Sequence, residues 1–271
     1  MPELPEVETT LRGVAGTLTG QVVCSVTIRN AALRWPIPAQ LPELLQSCRV
    51  ERFSRRAKYL LAHFPHGTLI LHLGMSGRLC IVPAGEPAGK HDHIDFLFGN
   101  DQLLRLRDPR RFGAVLWTEG NPLLHPLLAT LGVEPLDDVF DGEHLQHATR
   151  SRNAPIKNVI MDSHLVVGIG NIYASESLFR ARINPKTPAN KLSKARCARL
   201  AEEIKSTLLD AIKAGGSSLR DFFGADGNPG YFQQEYFVYG RTGQPCRVCG
   251  APIKTIRQGQ RSTFFCSACQ K

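Results

Sequence analysis

The sequence predicts a multidomain α+β protein in which a strand-rich first half is followed by a helical region and a short cysteine-rich tail. Residues 21–118 contain short β-type segments separated by glycine and proline, a pattern typical of a β-sandwich. Beyond residue 134, apolar residues recur at helical spacing. Four of the eight cysteines lie within residues 246–271, in two closely spaced pairs. These observations give the expected order of the domains.

Bulk composition points to a nucleic-acid partner. The chain has 271 residues, which suits one large domain or two ordinary ones, and its hydrophobic content of 42% suits packed cores. The formal net charge of +9 favours a polyanionic partner. There is no run of about 18 apolar residues and no signal peptide. We therefore expect a cytoplasmic protein that binds nucleic acid and not a membrane.

The first half combines one helix with several strands. Residues 5–17 are predicted to be helical, because Val7, Leu11 and Val14 recur on one side. The β-type segments are residues 21–28, 59–64, 68–73, 93–98, 102–106 and 114–118. The segment Gly99-Asn100-Asp101 separates two of them as a hairpin turn.

The second half is predicted to be mainly helical after an ordered linker at residues 119–134. The predicted helices are residues 142–149, 155–161, 174–181 and 193–214. In the last of these, Ser193 can cap the start, and Leu200, Ile204 and Leu208 recur at every fourth position. The predicted domains are therefore residues 1–118, 135–232 and 237–271, with the linker between the first two.

The start of the chain, Met1-Pro2-Glu3, offers a reactive group. A small residue such as Pro2 normally lets an aminopeptidase remove Met1, which leaves a secondary amine at the terminus. An α-amine has a reference pKa of about 8 against ~10.4 for lysine, so more of it is unprotonated at neutral pH. Such an amine can attack a sugar carbon and go on to an iminium, with Glu3 and Glu6 near for proton transfer. The alternative is a simple helix start, which proline and acidic residues also favour.

The cysteine-rich tail has the spacing of a zinc site. Cys246 and Cys249 form one pair separated by two residues, and Cys266 and Cys269 form a second. This pattern is typical of a four-cysteine structural Zn²⁺ site, whereas a redox dithiol pair would not need two such pairs. The residues between the pairs can form a β-hairpin, on which Arg261 adds positive charge suited to phosphate.

Two motifs in the strand-rich half and one in the helical half suit contacts with DNA. Met75 stands between glycines in His72–Gly77, and an exposed apolar side chain there can wedge into a base step. Asp108–Gly113 places arginines beside an aromatic ring. At Gly168–Asn171, a tight turn can direct backbone N–H groups towards an anion at a helix start, and Lys157 can join this anion site. The alternatives are core packing for Met75, a solvated turn for the arginines and an ordinary glycine turn.

Taken together, these motifs resemble bacterial formamidopyrimidine-DNA glycosylases. The resemblance covers the chain from end to end in the right order, and the matching segments are Pro2–Glu6, Arg56–Tyr59, His72–Gly77, Lys90–His93, Asp108–Gly113, Val166–Glu176 and the four cysteines. It implies an N-terminal β-sandwich, a helix-two-turn-helix domain and a C-terminal four-Cys zinc-finger β-hairpin. It also implies that DNA crosses the cleft between the halves.

The resemblance further implies a bifunctional DNA glycosylase and AP lyase of base excision repair that removes oxidised purines such as 8-oxoguanine and formamidopyrimidines. Pro2 then corresponds to the nucleophile that attacks C1′ of the damaged nucleotide. Glu3 corresponds to the proton donor that opens the sugar ring. Lys58 matches the lysine assigned to β-elimination, and Arg261 the arginine assigned to δ-elimination.

The implied partner is double-stranded DNA with an oxidised purine opposite cytosine, bound by a monomer. Three residues resemble those that fill the gap and contact the widowed cytosine: Met75, Arg110 and Phe112. The other implied DNA-contacting residues are His72, His91, Lys157, Asn171 and Arg152, the last of which stands where relatives often have lysine. Residues 217–231 resemble the lid over the flipped purine, with Asn228 where a basic residue is expected.

Two other functions compete with this one. The sister enzyme endonuclease VIII removes oxidised pyrimidines with the same amine, but Leu4, the Arg110 and Phe112 pair and the long lid favour the purine enzyme. A non-catalytic DNA-binding protein would keep the basic surface and the zinc hairpin without cleaving the strand. The joint presence of Pro2, Glu3 and Lys58 with Arg261 argues against it.

Overall fold

The computed structural model describes residues 1–216 and 236–271, which fall into two compact units. The first unit holds residues 1–129 and 214–216, and the second holds residues 130–213 and 236–271. Within these described ranges, no helix is both long and apolar enough to cross a membrane. The predicted lid lies outside the described residues.

The first unit is a two-layered β-structure preceded by a helix. Its elements are α1 (Leu4–Leu18), β1 (Val23–Ile28), α2 (Leu41–Leu45), β2 (Arg52–Arg56), β3 (Tyr59–Phe64), β4 (Gly67–His72), β5 (Arg78–Pro83), β6 (Asp92–Phe98), β7 (Gln102–Arg107), β8 (Ala114–Thr118), a 3-10 helix (Pro122–Leu124) and α3 (Pro126–Ala129). The strands pair antiparallel in two four-stranded sheets, with the orders β1-β6-β7-β5 and β2-β3-β4-β8. The predicted β-sandwich is confirmed.

The sequence prediction missed two strands of this unit, the short helices α2 and α3, and the 3-10 helix between residues 122 and 124. Strands β2 and β5 each lie at the edge of a sheet. Their side chains are mostly half-buried, and both strands begin with an arginine. Strand β2 is rich in arginine and lacks the apolar run that marks a buried strand. Strand β5 does contain such a run, at residues 79–82, which the sequence prediction overlooked. Helix α2 has only five residues, too few to show a helical period.

The core of the first unit lies between the sheets and under α1. Strands β3 and β4 are buried along almost their whole length, because they are the two central strands of their sheet and contribute to this core. Helix α1 adds Val7, Val14 and Leu18, each at most 1% exposed. These positions follow the helical spacing predicted from the sequence, extended by one turn to Leu18.

A buried network of arginines and aspartates lies on the face of the β1-β6-β7 sheet that points away from this core. Arg105, only 1% exposed, donates two hydrogen bonds of 2.9 Å to Asp95, its cross-strand partner. It also donates to the backbone carbonyls of Glu86 and Pro87, which cover the sheet there. Arg29 donates to Asp95 at 2.8 Å. Burial opposes ionisation of Asp95, but the hydrogen bonds from Arg105 and Arg29 outweigh it and hold the pKa of Asp95 below its ordinary value.

The second unit is helical and ends in a hairpin. Its elements are α4 (Gly142–Thr149), α5 (Ile156–Ile160), α6 (Asn171–Arg180), a 3-10 helix (Ala189–Lys191), α7 (Lys194–Lys213), β9 (Lys254–Gln258) and β10 (Arg261–Phe265). Strands β9 and β10 pair antiparallel, as predicted for the tail. The predicted apolar stripe of α7 is buried and packs towards α4 and α6. The hairpin region packs on α6 through an apolar cluster of Phe179, Val238 and Ile253.

We expect Arg105→Leu to lower the free energy of unfolding by about 3–5 kcal/mol, because it leaves Asp95 buried beside a single remaining arginine. The measurement is urea denaturation followed by far-UV circular dichroism. The matched control is Arg12→Leu, since Arg12 is exposed and forms an i,i+4 pair with Glu8. Its loss should cost less than about 1 kcal/mol. Equal losses in the two variants would contradict the structural role of the network.

Candidate active site and nucleic-acid interface

The candidate nucleophile lies at the start of α1, next to a reciprocal cap. Pro2 is buried, and Glu3 is the N-cap of the helix with only 3% of its surface exposed. The Glu3 N–H donates to Glu6 Oε2 at 2.8 Å, while the Glu3 side chain accepts from the Glu6 backbone. This capping box satisfies helix donors and fixes the Glu3 carboxylate beside Pro2. The helix start and the proposed chemistry therefore use the same residues.

Lys58 lies in a two-residue hairpin loop between β2 and β3. Arg56 pairs with Tyr59 in the ladder, so Ala57 and Lys58 form the loop, and Ala57 takes a positive φ of 54°. Such loops need a positive φ to match the twist of the strands. Arg55 ties this hairpin to α1 through a 3.0 Å ion pair with Glu8. The predicted elimination residue is thus held on a short loop against the helix that begins beside Pro2.

His72 lies at the end of β4, where its surroundings favour the neutral ring. Burial, together with the nearby charges of Lys58 and Arg34, lowers the pKa of His72 to about 4. Its Nδ1 accepts the Gly74 N–H at 3.1 Å. The proton of the neutral ring therefore sits on Nε2, which makes that atom a donor suited to a phosphate oxygen.

The buried carboxylate of Asp108 joins the two turns that carry the predicted wedge residues. Its Oδ1 accepts from Ser76 Oγ at 2.9 Å, and its Oδ2 accepts from the Gly113 N–H at 2.7 Å. The Asp108 side chain is fully buried. The sequence places Asp108 at the start of the motif Asp108–Gly113, and an aspartate between a strand and a glycine turn is the local signal for such a role, which the motif alone did not reveal.

The turns approach closely because glycines face each other across them. Gly74 has a φ of 62°, and a Cβ there would collide with the backbone of Phe112 and Gly113. The Asp108 N–H donates to the backbone carbonyl of His91 at 3.0 Å, which brings that predicted DNA-contacting residue to the same place. These contacts hold the two turns together, so the candidate residues of both turns lie on one surface.

Met75 and Phe112 are the exposed apolar side chains of this surface. They are 41% and 42% exposed, which excludes the core-packing alternative for Met75. The Arg110 guanidinium lies 4.8 Å from the centre of the Phe112 ring. This arrangement presents a flexible wedge, an aromatic ring and a stacked cation side by side.

In the second unit, Lys157 and Asn171 meet the strand that begins at Arg261. Lys157 is 1% exposed and donates to Asn171 Oδ1 and, at 2.8 Å, to Thr263 Oγ1. The Asn171 side-chain amide donates to the Ser262 carbonyl at 3.0 Å. These bonds fix β10 against the start of α6, so three predicted DNA-contacting or catalytic residues lie in one cluster.

The remaining predicted residue of the second unit, Arg152, is held by an ion pair. Arg152 Nη1 lies 2.6 Å from Asp162 Oδ2. Gly170 takes an extended conformation as the N-cap of α6, so the helix begins at Asn171, three residues earlier than predicted.

Glu176, within a motif that carried the resemblance, has a structural role that sequence reasoning did not assign. Its carboxylate, 1% exposed, accepts the backbone N–H groups of Phe237, Val238 and Tyr239 at 2.8–3.0 Å. Burial raises the pKa of Glu176, and these three donors oppose that shift. These hydrogen bonds fix residues 237–239 against α6.

The four cysteines fit a structural zinc ion. Their sulfur atoms all lie within 4.8 Å of one another, and two pairs are 3.9 and 3.5 Å apart. Tetrahedral ligands at a Zn–S distance of about 2.3 Å stand ~3.8 Å apart, which matches these separations. Bound there, one structural Zn²⁺ cross-links the two ends of the hairpin and supplies folding free energy.

Family models match three successive parts of the chain. The formamidopyrimidine-DNA glycosylase N-terminal domain matches residues 1–115, and the formamidopyrimidine-DNA glycosylase H2TH domain matches residues 131–223. The chain belongs to the formamidopyrimidine-DNA glycosylase family. A zinc finger found in FPG and IleRS matches residues 243–271, in agreement with the cysteine geometry.

Curated relatives and solved structures agree with this membership. The formamidopyrimidine-DNA glycosylase of Methylobacillus flagellatus is 63% identical over 271 residues, covering 100% of this chain and 97% of the relative. That of Janthinobacterium sp. (strain Marseille) is 58% identical over 274 residues, covering 100% of both.

Two structures illustrate the shared fold. Lactococcus lactis Fpg, in complex with an abasic site containing DNA, has a TM-score of 0.92 at 35% identity and 99% coverage of both chains. The MutM (FPG) protein of Thermus thermophilus has a TM-score of 0.88 at 36% identity, covering 99% of this chain and 98% of that one. The predicted family and α+β fold class are confirmed.

The low pKa of His72 predicts a specific pH dependence of stability. Between its folded pKa of about 4 and the ordinary value of about 6.5, the unfolded chain binds more protons, so the free energy of unfolding falls as pH drops through this range. His72→Gln keeps an acceptor for the Gly74 N–H but cannot titrate. Urea denaturation at pH values of about 5 and 7.5 should show a smaller pH effect in the variant. An unchanged pH effect would contradict a neutral His72.

The zinc site predicts one zinc ion per chain, measured by inductively coupled plasma mass spectrometry. Cys266→Ser should lose the ion and weaken DNA binding, because the hairpin that carries Arg261 is no longer cross-linked. Cys24→Ser is the matched control, since Cys24 is exposed on β1. Retention of zinc by Cys266→Ser would count against the four-cysteine site.

Proposed function

We propose that Pro2, Glu3, Lys58 and Arg261 carry out the chemistry of this protein and that the turns joined by Asp108 extrude the target base. The protein is a DNA glycosylase and AP lyase of base excision repair that releases oxidised purines from DNA. The pair of turns braced by Asp108 is the observation that supports the residue assignment most strongly. It supplies exposed apolar groups on a rigid base, as nucleotide extrusion requires.

Extrusion precedes chemistry, because the target base is stacked inside the duplex. Insertion of Met75 and Phe112 would fill the space left by the flipped nucleotide and offset an unstacking cost of a few kcal/mol per step. The N–H donors of Arg110 suit the acceptor atoms of a cytosine that has lost its partner. We therefore assign duplex DNA with an oxidised purine opposite cytosine as the preferred substrate.

The phosphate contacts are assigned to the remaining polar residues. His72, as a neutral donor, and His91 would bind the backbone beside the wedge. Lys157, Asn171 and Arg152 would do so from the second unit. Their existing hydrogen bonds and ion pairs hold them in place before DNA arrives, which lowers the entropic cost of binding.

The nucleophile is the Pro2 nitrogen after removal of Met1. With Met1 attached, as in this structure, that nitrogen belongs to a peptide bond and has no basic lone pair. Once freed, its lone pair forms a bond to C1′ while the C1′–N bond to the base breaks. Glu3 donates the proton that opens the sugar ring, and an iminium joins Pro2 to the deoxyribose.

Strand cleavage follows from the acidity that the iminium gives to the neighbouring C2′–H. Lys58 takes part in the removal of this proton, and the 3′ phosphate leaves by β-elimination. Arg261 assists loss of the 5′ phosphate by δ-elimination. The product is a one-nucleotide gap with phosphate at both ends.

The organisation of the protein is part of the same proposal. The domains are residues 1–118, 135–232 and 237–271, with a linker at residues 119–134 and the lesion lid in the second domain. The protein acts as a monomer in the bacterial cytoplasm, where it associates with the nucleoid through DNA.

Borohydride reduction tests the iminium. Treatment with an 8-oxoguanine:C duplex should produce a covalent protein–DNA adduct whose intact mass corresponds to a chain without Met1. Pro2→Gly should slow base removal by about 10²-fold or more while DNA binding persists. The control is a chain with an uncleaved N-terminal extension, which blocks the amine and leaves every other residue in place. An adduct in this blocked protein, or none in the processed one, would overturn the role of Pro2.

A further inference from the structure

The second unit carries a pocket at the end of α6 that the DNA glycosylase reaction does not use. It encloses about 340 Å³. Its apolar lining is formed by Phe179 of α6, by Phe237 and by Val248, which lies between the zinc ligands Cys246 and Cys249. The zinc ligand Cys269 also borders the pocket. Arg182 and Arg199 stand at its exposed edge. A cavity of this size with a few charged groups is typical of a binding site for a small ligand or a peptide side chain.

The apolar part of the pocket is preformed. The rings of Phe179 and Phe237 stack with centroids 5.1 Å apart and an angle of 21° between their planes. Both belong to the apolar cluster around Val238. The Phe237 backbone is fixed by the hydrogen bond from its N–H to Glu176. Val248 is 60% exposed, so its side chain is available to a partner.

The charge of the pocket is positive. Three arginines line it against one carboxylate, Glu203. The first arginine, Arg180, is already neutralised by Asp210 at 2.6 Å. Arg182 and Arg199 are exposed cations, whereas Glu203 of α7 is half-buried. An anionic partner is therefore favoured over a cationic or neutral one.

The pocket is separate from the DNA-contacting cluster of the same unit. That cluster lies at the first residue of α6, Asn171, whereas the pocket lies at its last residue, Arg180. Nine residues at about 1.5 Å each put the two sites roughly 13 Å apart along the helix axis. A ligand can occupy the pocket while Lys157 and Asn171 hold the hairpin.

We propose that this pocket binds an acidic peptide segment of a partner protein, with one apolar side chain on the phenylalanines and carboxylates on Arg182 and Arg199. A nucleic-acid backbone would satisfy the arginines but leave the apolar lining unfilled. The Phe237 ring is also engaged by Phe179 and approached by Arg180 at 5.8 Å, which disfavours it as a platform for base stacking. An acidic peptide with an apolar anchor matches both halves of the pocket.

The test is fluorescence anisotropy with the full-length zinc-loaded protein and a fluorescein-labelled peptide of aspartates and glutamates that contains one phenylalanine. The protein should bind this peptide, and Arg199→Glu should weaken binding about tenfold or more. Replacing the peptide's phenylalanine with serine, or Val248→Ser in the protein, should also weaken it several-fold, on the order of one buried side chain. Zinc content and glycosylase activity should stay unchanged in both variants.

Lys194→Glu is the matched control. It makes the same change of charge on the same helix, at an exposed position five residues from Arg199 and on another face. Binding should change by less than about twofold in this variant, which measures the general effect of charge. Equal weakening by Lys194→Glu and Arg199→Glu, or no binding by the wild type, would overturn the proposal. So would a result in which Arg199→Glu weakens binding of a short single-stranded oligonucleotide and not of the peptide.

Discussion

The candidate DNA-contacting surface of the first unit depends on the hydrogen bonds that the Asp108 carboxylate accepts. The two turns expose Met75 and Phe112 and are far apart in the sequence. One buried anion accepts from a hydroxyl of the first turn and from an N–H of the second, which makes them a single rigid surface. Charge-assisted bonds of this kind are stronger than neutral ones, and burial strengthens them further. The proposed insertion of Met75 and Phe112 needs this rigidity, because a mobile side chain cannot hold a base step open.

In the second unit, the buried ammonium group of Lys157 joins two elements in a comparable way. Lys157 is buried, and its ammonium donors reach both the start of α6 and the zinc hairpin. The zinc ion holds the hairpin's ends, while Lys157 and Asn171 fix its second strand, β10. Arg261 begins the strand that these bonds position, so its placement depends on metal, lysine and asparagine together.

Many of the protein's carboxylates are turned inward. Glu6, Asp95, Asp108 and Glu176 are all at most 3% exposed and bind backbone N–H groups or arginines. Each of these carboxylates is satisfied within the fold, where it orders a helix start, a sheet face, a pair of turns or a chain segment. The formal charge of +9, which favours DNA, comes from the excess of 33 lysines and arginines over 24 acidic residues.

The sequence alone determined the features that have a local cause. Strands β3, β4 and β8, helix α7 and the zinc hairpin were predicted because apolar periodicity and cysteine spacing are recorded in neighbouring residues. The family was also readable, since its motifs are contiguous, and the proposed role of Pro2 rests on the same motifs. Tertiary structure alone decided which residues meet. Lys157 bonds to Thr263, 106 positions away, and Asp108 to Ser76, 32 positions away. No local pattern contains such pairs, because a hydrogen bond depends on where the chain returns in space. Strand β2 belongs to this second group, since its arginine-rich sequence carries no apolar pattern and only its pairing with β3 makes it a strand.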